Sequence, residues 1–96
     1  MSIADLTDRQ QALYEAFYAS THNNECLDRR TEILVGLSAA VAMDCKPCTQ
    51  YYLTKARDAE IDEESISEVL AKVMAVASGQ KRLQVQEALN ESDINS

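Results

Sequence analysis

The chain has 96 residues, with 16 acidic and 9 basic side chains, a formal charge of −7, one histidine, three cysteines, two glycines and one proline. That length fits one domain spanning residues 1–96, and a folded chain of this size removes only roughly 60 to 70% of its unfolded surface from water, so subunits are expected to associate. The acidic balance opposes a phosphate backbone and excludes nucleic acid as a partner, while the apolar stretch from Ile33 to Met43, interrupted by Gly36 and Ser38, falls short of the roughly 20 residues that cross a bilayer.

Met1 to Asp5 show no basic stretch followed by an apolar core. The expectation is a cytoplasmic protein, in a compartment where thiols stay reduced and a close cysteine pair means redox or metal chemistry more often than a structural staple. With so few glycines and prolines, and no segment that alternates apolar and polar residues over strand length, the chain is predicted to be all helix.

A first helix is predicted to start near Thr7, where Thr7 and Gln10 have the spacing of a capping box, and to bury Leu13, Ala16 and Phe17. The polar segment Ser20 to Asn24 reads as a connecting loop, because its side chains compete for backbone hydrogen bonds. Asp28 is an N-cap for a second helix, mostly core, with Ile33, Leu34, Leu37, Ala40 and Val41 at helical spacing. A third helix begins at Cys45-Lys46-Pro47-Cys48, since proline is tolerated in a first turn. Its apolar face is Tyr52, Ala56 and Ala59, and it stops near Ala59. Asp62 caps the fourth helix, whose stripe is Ile66, Val69, Leu70, Val73 and Ala77; Gly79 then reads as a C-terminal cap or a kink. A fifth helix, about Gln80 to Leu89, and a fraying tail after Asn90 complete the prediction.

The chemistry-bearing feature is the pair Cys45 and Cys48 at a helix start. Helix N-terminal amides and the macrodipole stabilise a thiolate, Lys46 adds positive charge, and the two-residue gap lets one sulfur attack an oxidised substrate while the other resolves the adduct as a disulfide. Three other readings stand beside this one. The cysteines could be inert core residues; they could be half of a metal site; or, with His22 and Cys26, they could form a tetrahedral zinc site, although the spacing matches no common finger. Glu32 has an unremarkable reading as a dipole-stabilising residue exposed in a first turn. Tyr51 and Tyr52 read as core or interface aromatics, and Tyr14, Phe17 and Tyr18 as a surface on which a neighbouring subunit could pack.

Leu27 to Leu34, the small-residue helix after it, Cys45-Lys46-Pro47-Cys48 and Asp62 to Val69 together resemble the core of the carboxymuconolactone decarboxylase family, in its alkylhydroperoxidase-D-like, CxxC-bearing branch, most clearly over residues 24–80. The resemblance implies an all-helical fold of about five helices whose subunits form trimers or hexamers. It further implies reduction of peroxides or disulfides by the cysteine pair, with a dithiol reductant such as a lipoylated protein, and no bound cofactor or metal. Carried over by position, the catalytic residues are Cys45, Cys48, Glu32 and Tyr52. Tyr52 stands where the family has a histidine that passes protons, and a tyrosine with a pKa near 10 is no ready base at neutral pH. Glu32 lies thirteen residues before Cys45, one more than the family spacing, and Glu60 stands where the family commonly has glycine. The leading expectation is a thiol-dependent oxidoreductase; the second is a catalytically weakened relative that serves as an oligomeric binding or redox-sensing module. Lactone decarboxylation, which needs no cysteine pair, is set aside.

Overall fold

The computed structural model describes residues 5–92, and these residues form four α-helices and no strand: α1 Asp8–Ser20, α2 Arg29–Ala42, α3 Lys46–Asp58 and α4 Glu63–Glu91. Each helix begins where a side chain takes up free backbone amides. The capping box forms at α1, where Gln10 N–H donates to Thr7 Oγ1 at 3.2 Å and Thr7 N–H to Gln10 Oε1 at 3.1 Å. Asp28 accepts from Thr31 N–H at 2.7 Å and Asp62 from Ser65 N–H at 2.9 Å, while Pro47 lies in the first turn of α3. Arg30 ties two of these starts together, donating to Ser65 Oγ at 2.7 Å and lying 3.6 Å from Asp62.

Two helices end in the same backbone device. After α2, Asp44 N–H donates to Val41 O and Cys45 N–H to Ala40 O; after α3, Glu60 N–H donates to Arg57 O and Ile61 N–H to Ala56 O. Asp44 and Glu60 hold φ of 57° and 58°. This is the left-handed helix end that glycine usually supplies, the conformation to which the glycine implied at position 60 by the family resemblance is suited. The helix ends on schedule, and a non-glycine residue carries the strain.

The core lies where α2 meets α3 and the start of α4. Ile33, Leu37, Ala56, Ile61 and Ile66 form its buried cluster, with Leu34, Val41, Tyr52, Leu53, Ala59, Val69 and Leu70 packed around it. Burying Ile33 (2% exposed) and Leu37 (0% exposed) contributes roughly 1.5–3 kcal/mol each. The predicted stripes of α2 and α3 thus fall on the core. That of α4 does so in part, since Ala77 is exposed.

Two expectations are corrected. There are four helices in the described residues instead of about five, because α4 runs unbroken through Gly79 to Glu91. A Cβ at Gly79 would meet nothing within 4 Å, so this glycine neither caps nor kinks. The second correction concerns α1, which buries none of its residues: Leu13 is 58% and Phe17 66% exposed. An amphipathic helix needs an apolar partner, and within this subunit the core residues of α2, α3 and α4 are spent on one another. Residues 1–4 and the fraying expected beyond Ser92 lie outside the described residues.

Candidate functional site

The left-handed turn at Asp44 delivers the chain directly into α3 with Cys45 as its N-cap. Cys48 then occupies the third helical position, and its backbone N–H donates to Cys45 Sγ at 3.3 Å. The two cysteines are joined as a disulfide, with their Cα atoms 5.2 Å apart. Cys45 is half-buried and Cys48 exposed. One sulfur therefore has the amide hydrogen that stabilises a thiolate, and the other has the access that a substrate needs.

Tyr52 lies one helical turn beyond Cys48, on the same side of α3. Its ring crosses α2 at Gly36: a Cβ there would come within 2.8 Å of Tyr52 Cδ1 and closer still to Cε1 and Cζ. The glycine is the opening that lets the ring lie in the α2–α3 seam. Burial raises the Tyr52 phenol above its ordinary pKa, and the neighbouring Tyr18, Glu32 and Tyr51 push in the same direction. The hydroxyl stays neutral near pH 7, able to donate or accept a hydrogen bond and unable to store charge.

Glu32 is half-buried instead of exposed, and it faces the same seam from an undistorted first turn of α2. Its partner is His22: Nδ1 lies 3.3 Å from Glu32 Oε1, with the two side chains 27% and 17% exposed. The imidazole meets the Tyr18 ring edge-on at 4.8 Å between centroids and lies 6.4 Å from the Tyr51 ring. Tyr51 contacts Tyr52 edge-on at 5.0 Å and carries Lys55 Nζ 5.4 Å from its ring centroid. Between these groups is a cleft of about 110 Å³ lined by His22, Arg29, Glu32, Ile33, Tyr51, Tyr52 and Lys55.

Of the four residues assigned by position, Cys45 and Cys48 are bonded, and Glu32 and Tyr52 share the cleft one turn away. Sequence reasoning left out His22 and Tyr18 as members of this group. The available signal was the four-residue step from Tyr18 to His22, which places them together at the end of α1. Cys26 is an exposed free thiol, and among the described residues no three His, Cys, Asp or Glu side chains are arranged to hold a metal ion. A larger opening of about 550 Å³ lies between α2 and α4, lined by Val35, Ala39, Val69, Val73, Val76 and others, with Lys72 at its edge. It includes neither cysteine.

The model of the carboxymuconolactone decarboxylase family matches residues 8–91. The chain is also similar to a protein of Methanobacterium thermoautotrophicum known from a crystal structure, with a TM-score of 0.76 at 20% identity over 83% of this chain and 90% of that one. At that identity the likeness shows the fold alone. Comparison with curated proteins gives no match.

Proposed function

The chain belongs to the carboxymuconolactone decarboxylase family, and from that premise we propose that it is a thiol-dependent oxidoreductase of the alkylhydroperoxidase-D-like branch, reducing peroxides or disulfides through Cys45 and Cys48. The observation that carries this reading is the disulfide at the start of α3, with an amide hydrogen on one sulfur and solvent at the other. These two properties divide the work. In the oxidative half, the exposed Cys48 attacks a peroxide oxygen as a thiolate, taking the hydroxyl as a sulfenic acid and releasing an alcohol. Cys45 then attacks Cys48 Sγ, water leaves, and the disulfide closes. In the reductive half, an external dithiol attacks Cys48 Sγ, and Cys45 departs as the thiolate held by the Cys48 N–H. The more stabilised thiolate is the better leaving group.

The partners that follow are a small peroxide or disulfide and a dithiol reductant, of which a lipoylated protein is one form, in the reducing cytoplasm. Among the described residues no helix is long and apolar enough to cross a membrane. Homo-oligomerisation belongs to the same proposal. The exposed apolar residues of α1 and of the second half of α4 are faces that a second copy would cover. Neutral Tyr52 at the family's histidine position favours one further reading, a catalytically weakened binding or redox-sensing module.

Peroxide turnover with dithiol reductants tests the proposal on the wild-type chain, Cys45→Ser and Cys48→Ser. Both variants should lose turnover, and peroxide should trap a sulfenic acid on Cys48 in Cys45→Ser. Unchanged turnover in both variants would overturn the proposal. A Tyr52→His variant that gains turnover strongly would favour the weakened-site reading.

A further inference from the structure

We propose that His22 is a proton-transfer residue of the cysteine site: held on Glu32 from the α1–α2 loop, it supplies the imidazole that α3 lacks at Tyr52. The inference rests on the redox function proposed above. Four observations carry it. His22 Nδ1 lies 3.3 Å from the Glu32 carboxylate, an arrangement that orients the imidazole, and both residues line the same cleft. The loop that carries it is fixed by its own side chains, since Asn23 donates to Ala19 O and Asn24 to Thr21 O, each at 3.0 Å. Tyr18 and Tyr51 flank the ring. Finally, the cleft it lines is bounded by Tyr52, four residues beyond Cys48 on α3, and has room and polar partners for water.

The groups that face His22 are Glu32 and Arg29 from α2, Tyr51, Tyr52 and Lys55 from α3, and Tyr18 from α1. Among them, the imidazole is the group with two ring nitrogens, one able to accept a proton while the other holds one. Tyr52, one helical turn beyond Cys48 and lining the same cleft as Glu32, keeps its own proton near neutral pH and passes one on only by taking another along a hydrogen-bond chain.

Reduction of the disulfide shows where such a group is needed. One thiolate of the reductant attacks Cys48 Sγ, the Cys45–Cys48 bond breaks, a mixed disulfide forms and Cys45 leaves as a thiolate. The second thiol of the reductant must lose its proton before it attacks the reductant's own sulfur in the mixed disulfide. That attack oxidises the reductant to a cyclic disulfide and expels Cys48 as a thiolate. Two electrons and two protons pass from reductant to protein in all. The proton that the first thiol released to solvent on ionising is balanced by one that the Cys45 thiolate takes from solvent. The His22–Glu32 pair takes the proton of the second thiol and returns it to Cys48 through Tyr52 and cleft water.

The test uses the oxidised full chain, dithiothreitol as the probe, and thiol release followed from about pH 5.5 to 8.5, a range that brackets the imidazole. His22→Gln keeps a hydrogen bond to Glu32 and loses the titrating nitrogen. It should slow reduction on the order of tenfold near neutral pH and leave a profile that follows the thiolate fraction of the probe alone, with no rescue relative to His22→Ala. In the wild-type chain, the ring-proton NMR signals of its one histidine should move between disulfide and dithiol forms at constant pH. The inference is overturned by a wild-type rate and profile in His22→Gln, by rescue in Gln of what Ala loses, or by ring signals indifferent to redox state. Because dithiothreitol needs no natural substrate, a wild-type chain that turns over no peroxide would defeat the proposed function while leaving these readouts to decide the role of His22.

Discussion

Replacing Gly36 by alanine asks whether the α2–α3 seam is built around the Tyr52 ring. Backbone preference alone predicts a gain, because alanine is the better helix former by about 0.8–1 kcal/mol. Packing predicts the opposite: the new methyl would fall 2.8 Å from Tyr52 Cδ1 and closer to two further ring atoms. Overpacking of this kind typically costs about 1–3 kcal/mol. The ring can escape by rotating toward solvent, but it then gives up its packing on α2. The sum is a variant between neutral and about 2 kcal/mol less stable than wild type. On a Tyr52→Ala background the clash is gone, and the same Gly36→Ala change should stabilise by about 0.8–1 kcal/mol. The helix term cancels between the two backgrounds, so the coupling equals the overpacking cost itself, about 1–3 kcal/mol. Urea unfolding of the four proteins, followed by far-UV circular dichroism at one fixed subunit concentration, measures it. Additivity within about 0.5 kcal/mol would refute the idea that Gly36 exists to admit Tyr52.

Other expectations follow from the same coordinates. Leu37→Ala, at a fully buried position, should cost about 2–5 kcal/mol in urea unfolding, and a smaller loss would mean that the core can collapse around the cavity. Asp44→Gly and Glu60→Gly remove non-glycine residues from φ of 57° and 58°. The relief of about 1–2 kcal/mol less the extra unfolded freedom of glycine, about 0.5–1 kcal/mol, leaves a net gain in melting experiments, whereas a loss would show side-chain contacts outweighing strain. The Asp28 carboxyl is held below its ordinary pKa by hydrogen bonds from Thr31, and that of Asp62 by hydrogen bonds from Ser65. With folded values below unfolded ones, their stabilisation is present above about pH 3.8 and lost as pH falls through the lower folded values. An Asp28→Asn, Asp62→Asn double variant, still capped but unable to titrate, should flatten the acid limb of the stability curve. Phe17→Glu should lower the solution mass toward a single subunit with helix content retained, and an unchanged mass would place the subunit contact elsewhere.

Helix starts were legible because the signals are local. Thr7 with Gln10, Asp28, Pro47 and Asp62 each act within one turn, and each sits where its chemistry says it should. The cysteine turn was legible for the same reason. What local signals could not supply is the balance between a weak breaker and a long element. Gly79 weakens a helix by about 1 kcal/mol, and the helical turns on either side outweigh it, so one helix forms where two were expected. Nor does an amphipathic pattern say what its apolar face will meet: Leu13 and Phe17 have the right spacing and no partner within the subunit. The His22–Glu32 pair escapes for a third reason. A loop residue reaching back onto a helix has no period, and it becomes visible once the turn between α1 and α2 is fixed.

These reasons meet in α1. A compact chain of 96 residues has a radius of gyration of about 12–13 Å, whereas this one has 18.7 Å, because α1 and the second half of α4 stand away from the core. Neither segment is needed to form the disulfide turn, which rests on α2 and α3 alone. Yet the C-terminal end of α1 carries Tyr18, which bears on the Tyr52 phenol and packs on His22. The cysteines, Glu32 and Tyr52 are thus positioned by helices of the buried core, while Tyr18, against which His22 packs, is carried by a helix the core does not hold. In an assembly whose subunits cover α1, as proposed above, the contact would also hold the end of α1 against the cleft that one subunit already forms. Apolar surface that looks surplus in one subunit then has a reason to stay exposed until a second copy arrives.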